Sequence, residues 1–322
     1  MRREVGIVAM KIEPLARLER HAKRIGDIVT ILGRYGLADL FGNFDYPWLK
    51  QWLKGADGQV LSDLTTPQRV RRALTEMGTT FIKLGQMLST RADLIGIDLA
   101  NELASLQSNV PPDPAQAART TIKAALEKGV GELFARFDDE PVAAASIAQV
   151  HRAVLKSGEQ VVVKVRRAGI LGKVTTDLEI VAWMAELLEK HSPRLRPYQP
   201  VAVVRQFRRT LLKELDFTYE KRNLEEFALN FIDDKTVRIP TVYEELCGHD
   251  VVTMDWLDGV SGTDVEAMKA TEEDLAEFAR RGAMMYLNMV FRDGFYHADP
   301  HPGNLLLLPD GIVGVIDCGM VG

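Results

Sequence analysis

Near its C-terminal end the chain reads His297-Ala298-Asp299-Pro300-His301-Pro302-Gly303-Asn304, and Asp317-Cys318-Gly319 begins thirteen residues after Asn304. Residue types and spacing point to chemistry on a phosphoryl group. A hydroxyl that attacks a γ-phosphoryl needs a carboxylate to orient it and take its proton, and Mg2+ takes oxygen ligands from a carboxamide and a second carboxylate. Asp299, Asn304 and Asp317 carry the side chains for those three roles. Between them, Leu305-Leu-Leu-Leu308, Pro309-Asp-Gly311 and Ile312-Val-Gly-Val-Ile316 predict two short strands about a turn, which returns Asp317 to the side of Asn304. Two other readings compete. One is a plain polar loop before a hairpin. The other is a metal site of His297, Asp299 and His301, against which stand the stiffening Pro300 and Pro302 and the lack of a further Cys/His cluster nearby.

Upstream, a capped helix is expected from Thr271, apolar at Leu275, Phe278, Met285 and Met289 and ended by Gly294. Ile239-Pro-Thr-Val-Tyr243 and Asp250-Val-Val-Thr-Met254 read as strands, and Asp255-Trp256-Leu257 after them as a hinge whose backbone amides could meet an adenine. Residues 201–231 predict one long helix carrying Glu214, Asp216 and Glu220. At 100° per residue Asp216 and Glu220 share a face and Glu214 points elsewhere, so this helix could offer carboxylates to two lysines. At Pro141 the pattern turns strand-like: Ala143-Ala144-Ala145-Ser146-Ile-Ala-Gln-Val150 leads through a Lys156-Ser-Gly158 turn to Gln160-Val-Val-Val163-Lys164-Val165. A lysine within an apolar strand resembles the Val-Ala-Ile-Lys strand that holds phosphates in kinases, although a lysine emerging at a strand end is the plainer alternative. The preceding loop has alanines where a kinase has glycines. Alanine lacks the free positive φ of glycine, so this loop should lie less closely on phosphates or be stiffer.

Nearer the N-terminus, Thr66-Pro67 opens a helix with Val70, Leu74, Met77, Phe81, Leu84 and Leu88 along one face. Lys83 and Gln86 lie off that seam, and Gly85 between them suggests the close approach of another backbone or a ligand. A solvated Lys and Gln on an open face is the alternative. Leu99, Leu103 and Leu106 mark a second helix that ends at Pro111-Pro112 and pairs with the first as a hairpin; helices over 114–128 and 130–136 follow. Residues 14–42 read as an amphipathic basic helix or two (Leu15, Arg17, Leu18, Arg20, Lys23, Arg24, Ile25, Ile28, Leu32, Arg34), suited to an anionic membrane surface or to packing on its own domain. Trp48 and Trp52 precede a loop at 55–58 that carries no chemical signal.

Composition sets outer bounds. The 322 residues are 46% hydrophobic and 26% charged, ordinary for a globular protein of two domains or one bilobal domain. A net charge of −5 gives no support for nucleic-acid binding, and two cysteines suggest neither a disulfide framework nor a zinc ribbon. No run approaches 18 apolar residues, and the charged N-terminus lacks the apolar core of a signal peptide.

Four motifs in order resemble the UbiB/ADCK family of atypical kinases from about residue 66 onward: Phe81-Ile-Lys83-Leu-Gly85-Gln86, Ala143-Ala-Ala-Ser-Ile-Ala-Gln-Val-His-Arg-Ala153 with Lys164, Glu214-Leu-Asp216 with Glu220, and 297–304. The resemblance implies an α+β, protein-kinase-like bilobal fold with an N-terminal Lys-x-Gly-Gln helical extension. It implies Lys164 paired with Glu220, and Lys83 and Gln86 set over the site near Glu214 and Asp216. Ala143, Ala144, Ala145 and Ser146 would lie at the nucleotide with Met254, Asp255, Trp256 and Leu257; Asp299 would be catalytic, and Asn304 and Asp317 would hold the metal. The implied cofactors are ATP or ADP with Mg2+. The implied work is support of isoprenoid quinone (ubiquinone) biosynthesis, with quinone-precursor lipids and quinone-biosynthesis enzymes as partners, in the cytoplasm at the inner-membrane surface. A nucleotide-gated, pseudokinase-like binding protein or chaperone of lipid intermediates, and a small-molecule kinase of the aminoglycoside type, are the alternatives. The expected division is 1–60 amphipathic, 61–138 helical extension, 139–257 N-lobe and 258–322 partial C-lobe. Cys318 stands where the family pattern has Phe, and the chain is expected to be a fragment that stops before most of the helical lobe and a spanning tail.

Overall fold

The computed structural model describes residues 21–37, 64–106, 111–193, 195–299 and 301–322. The expectations placed on Leu15, Arg17, Leu18, Arg20, Trp48, Trp52, the loop at 55–58 and Pro300 lie outside the described residues. In chain order the helices are α1 (21–34), α2 (Thr66–Met77), α3 (Thr79–Ser89), α4 (Ala92–Ile95), α5 (Ile97–Ala104), α6 (Ala115–Leu126), α7 (Val130–Leu133), α8 (Ile170–His191), α9 (Pro200–Glu214), α10 (Phe217–Asn230), α11 (Val265–Lys269) and α12 (Leu275–Leu287). The strands are β1 (Phe134–Phe137), β2 (Ala143–Ala144), β3 (Ala148–Leu155), β4 (Gln160–Arg166), β5 (Val237–Arg238), β6 (Val251–Asp255), β7 (Val260–Ser261), β8 (Leu305–Leu308) and β9 (Ile312–Val315). They group into two compact units, Met1–Asn109 with Gly169–Leu211, and Val110–Ala168 with Leu212–Gly322.

The first unit is helical. Ile28 and Ile31 of α1 pack with Ala73 and Met77 of α2, Phe81 of α3 and Ile180 and Val181 of α8, with Ile25 and Leu32 against the same cluster. Over its described residues, then, the apolar stripe of the basic helix faces its own core. Arg24 is part of that core: it pairs with fully buried Asp177 at 2.6 Å, donates to Met77 O and lies over the Phe81 ring. The single helix expected from Thr66 is two. Gly78 interrupts it at φ 95°, a left-handed value that glycine adopts without strain, and Thr65, not Thr66, is the cap, exchanging bonds with Gln68. What approaches Gly85 is a side chain, not a ligand or a backbone: a Cβ there would collide with Leu106 Cδ1 and meet Leu74 Cδ1 at 3.0 Å. Among the described residues no helix is long and apolar enough to cross a membrane.

The second unit holds both sheets. The first runs β1-β3-β4-β6 with β2 on β3, all antiparallel. The period-two pleat turns Val161, Val163 and Val165 onto α6, where Ala118 and Ile122 complete an apolar core with Phe134, Leu155 and Val251, so Lys164 faces the other way. The second sheet runs β5-β9-β8-β7, and its β8–β9 hairpin pairs Leu305 with Val315 as the leucine and valine runs predict.

Three local expectations are corrected. The helix expected over 201–231 breaks at 215–216, because Asp216 adopts extended angles and caps α10 by accepting from Thr218 N at 3.0 Å, while Phe217 N–H donates to His249 O. Residues 239–243 contribute only an isolated bridge, Val242 to Met254. The helix expected from Thr271 starts at Leu275, capped by Asp274 through Ala276 N and Glu277 N; the chain then passes through a π-turn at Asn288–Asp293 and closes at Gly294, φ 64°.

Candidate functional site

Lys164 stands on the face of β4 turned away from α6. Its Nζ donates to Glu220 Oε1 and Oε2 at 2.7 and 2.8 Å and reaches Asp317 Oδ2 at 3.4 Å. Burial pulls the ammonium down, but the Asp317 and Glu220 charges outweigh it, and Lys164 is held above the ordinary lysine value. Burial pushes the Glu220 carboxyl up to about 7, with Lys164 pulling the other way. Glu220 lies in the first turn of α10, whose Phe217, Leu224 and Phe227 are buried. One turn on, Asn223 Nδ2 donates to Cys318 O at 2.7 Å and ties that helix to the segment bearing Asp317. Gly319 N–H holds Asp317 Oδ1 at 2.9 Å. Cys318 is fully buried, and burial raises its thiol well above the usual value.

The loop at 297–304 is organised by His297. Its Nδ1 accepts from Asp299 N at 3.1 Å, so Nε2 carries the proton and donates to Asp317 O, joining the two loops. Asn304 Nδ2 donates to Asp299 O at 3.1 Å and Asp299 Oδ2 at 3.0 Å, which leaves the Asn304 carbonyl oxygen as the atom suited to a cation. The alternative metal site is not built. Both nitrogens of His297 are taken, His301 Nδ1 accepts from Gly303 N at 3.0 Å, and no group of three or more His, Cys, Asp and Glu that could hold a metal occurs among the described residues.

The remaining expected residues divide. Ala143 and Ala144 form β2 against Val150 and Gln149, Ala145 N–H turns inward to Ala148 O at 2.8 Å, and Ser146 is buried. At the hinge, Met254 is buried in β6, Asp255 N–H donates to Thr241 O at 3.0 Å, and Trp256 N–H donates to Gln160 O at 3.0 Å. Those two amides are therefore committed within the protein, which leaves Leu257 as the hinge residue with a donor to offer. The Asp255 carboxylate is also engaged, by Thr241 N and Tyr243 Oη, and Arg152 covers the Trp256 ring at 4.4 Å. Glu214 ends α9 and Asp216 caps α10 beside His249, so the two flank a helix break instead of sharing one helical wheel. Lys83 and Gln86 lie on α3 in the helical unit, both half-buried; Gln86 Nε2 donates to Leu106 O at 3.0 Å. Asn223 was not singled out from the sequence, and its only signal is its place one turn after Glu220; His297 was weighed only as a metal ligand, although His-x-Asp carries the signal for its linking role.

A family profile described as the ABC1 atypical kinase-like domain matches residues 105–322. The chain belongs to the UbiB/ADCK family of atypical kinases. Curated UbiB/ADCK relatives named "Probable protein kinase UbiB" include one from Pseudomonas putida, 40% identical over 316 residues, and one from Pseudomonas aeruginosa, 39% identical over 315 residues. Each alignment covers 93% of this chain but 57% and 58% of those proteins, so the chain spans less than two thirds of their length. A solved structure of Rv3197 from Mycobacterium tuberculosis in complex with erythromycin is similar with TM-score 0.58 and 29% identity, over 77% of this chain and 62% of that one. The α+β, kinase-like architecture is thus that of the UbiB/ADCK family.

Proposed function

We propose that this UbiB/ADCK chain carries a Mg2+–adenine-nucleotide site and acts as an ATP-dependent phosphotransferase or ATPase in support of isoprenoid quinone synthesis at a membrane surface. The observation that carries the reading is the convergence of Lys164, Glu220 and Asp317 beside the Asp299–Asn304 loop within one unit. Lys164 holds phosphate oxygens and Glu220 keeps its ammonium aimed. Asp299 orients an attacking hydroxyl and takes its proton. The residues fit Mg2+: Asp317 and the Asn304 carbonyl are hard oxygen donors, too few for an all-protein cage, which suits an ion that completes its shell with phosphate and water. Bound there, Mg2+ would neutralise charge on the phosphates. Residues 143–146 lie over the phosphates and Leu257 N–H meets the base. Lys83 and Gln86 of α3, and Glu214 and Asp216 at the α9–α10 junction, take part in nucleotide handling.

A lipid-handling role is supported by a cavity of about 330 Å³ in the helical unit, lined by apolar residues that include Ile28, Leu84, Leu188 and Val204. The similar structure with bound erythromycin favours a second reading, a nucleotide-gated binder of amphiphilic small molecules without productive transfer. Nucleotide binding and turnover by the full chain, with and without lipid vesicles and quinone-precursor phenols, test both. Asp317→Asn should weaken Mg2+-dependent nucleotide binding by roughly 100-fold, since it removes a carboxylate ligand from a hard cation. Asp299→Asn should retain binding and lose turnover. Binding of Mg2+-nucleotide by both variants at the parent's affinity overturns the assignment, and binding with no turnover under any condition selects the second reading.

A further inference from the structure

Behind the alanine-rich turn lies a run of polar side chains, buried except for half-buried Asp113, that the roles above do not use. Arg167 donates from Nε to Ala145 O at 2.8 Å and from Nη1 to Pro111 O at 2.9 Å and Asp113 Oδ1 at 2.6 Å, while its backbone N–H donates to Ile147 O at 2.9 Å. Asp113 N–H donates to Gln149 Oε1 at 2.9 Å. That bond orients the Gln149 amide, whose Nε2–H is then the donor to His151 Nε2 at 2.8 Å. His151 accepts there and so donates from Nδ1 to Asp138 O at 2.8 Å. Gln149 and His151 are almost wholly buried, and each donor along this run meets an acceptor. Turning any member over would leave a buried polar atom unpaired, so the run has a single arrangement.

Stability alone does not call for this construction, because well-packed apolar residues commonly serve a core as well as a buried ion pair does. What the run does contact is the turn. Ala145 O is held by the Arg167 guanidinium and Ile147 O by the Arg167 amide, and between them Ala145 N–H is turned inward to Ala148 O. A planar fork can hold two carbonyls and a carboxylate at once; an ammonium presents no such fork.

We propose that Arg167, backed by Asp113, Gln149 and His151, is a positioning residue that locks the alanine-rich turn with its Ala145 amide facing inward, and so withholds a backbone donor from the nucleotide's phosphates. The proposal rests on the reading of that turn as lying over phosphates. A turn held this way disfavours the ligand that gains most from backbone donors, the triphosphate with its additional anionic group. Loosening it should favour ATP over ADP.

Two measurements on the full chain test this. In the nucleotide-free protein, amide hydrogen exchange over 145–148 should accelerate roughly fivefold, about one hydrogen bond's worth, in Arg167→Met and Arg167→Lys. It should not change in Ile122→Val, which loosens the core on the sheet's other face. Calorimetric titration with Mg-ATP and Mg-ADP should then show the ATP-to-ADP affinity ratio raised by a similar factor in the Arg167 variants alone. Arg167→Lys keeps the charge opposite Asp113, so the test stands if Arg167→Met does not fold. Unchanged exchange at 145–148 overturns the positioning role, and faster exchange with an unchanged ratio overturns the discrimination. Faster exchange in a chain that binds neither nucleotide sinks the nucleotide reading of the site while Arg167 stays the residue that holds the turn.

Discussion

Glu220 and Asp317 both face Lys164, at 2.7 and 3.4 Å, yet the Glu220 side chain is 4% exposed and that of Asp317 49%. The same contrast runs through the surroundings of each. On the sheet side, a buried ion pair and the Arg167–Gln149–His151 run are complete before any ligand arrives. On the loop side, Asp317 has one oxygen on Gly319 N–H and the other at the edge of hydrogen-bonding distance from Lys164, and Asp299 and Asn304 bond mainly to each other. The difference separates a frame from a working surface. Groups that hold geometry are removed from water, where losing a partner is costly; the groups proposed to exchange partners for phosphate and cation stay where water can stand in.

The largest expected effect comes from breaking the frame. Glu220→Leu leaves the Lys164 ammonium with Asp317 alone and should lower unfolding free energy by about 3 kcal/mol or more, whereas the double variant Lys164→Met/Glu220→Leu should recover most of it. On the working surface, Asp299→Asn should stay within about 0.5 kcal/mol of the parent. Denaturant titration of the four proteins decides, and equal losses for Glu220→Leu and Asp299→Asn would erase the contrast.

A smaller effect is expected where frame meets ligand. Ala144→Gly adds backbone freedom inside β2 without touching the Arg167 bonds, and it should change ATP or ADP affinity by roughly fivefold in a chain of near-parental stability. Unchanged affinities for both nucleotides, measured by calorimetry, would count against the turn lying over phosphates.

The smallest effect should appear with pH. Burial lowers the His151 pKa despite its bond to Asp138 O, in surroundings that include Phe137 stacked at 4.9 Å, Arg119, Asp138 and Asp139. Because the folded state disfavours the protonated ring, its stability contribution is complete above the unfolded value near 6.5 and is lost as pH falls through the lower folded value. One proton limits the slope to about 1.4 kcal/mol per pH unit. Thermal unfolding midpoints from pH 7.5 to 5 should fall more steeply for the parent than for His151→Gln, and parallel curves would remove His151 from the frame.

Legibility followed the range of the cause. The hairpin from Leu305 to Val315, the strand carrying Lys164 and the glycine end at Gly294 were readable because period-two burial and positive-φ glycine act over a few neighbours. The return of the chain at Asp317 to the side of Asn304 was readable for the same reason, because the short hairpin between them fixes it, with Ile316 N–H donating to Asn304 O at 3.1 Å. The helical wheel over 214–220 failed because the bond that breaks the helix, Phe217 N–H to His249 O, spans 32 residues that no local window sees. Gly85 was readable as a close approach, but only packing decided that Leu106 makes it. The orientation of Gln149 is set by Asp113 N–H, 36 residues away, the tautomer of His151 follows from it, and Ala145 O is held by Arg167, 22 residues on. In each of these a short local pattern allowed more than one outcome, and the requirement that buried polar atoms be paired selected one.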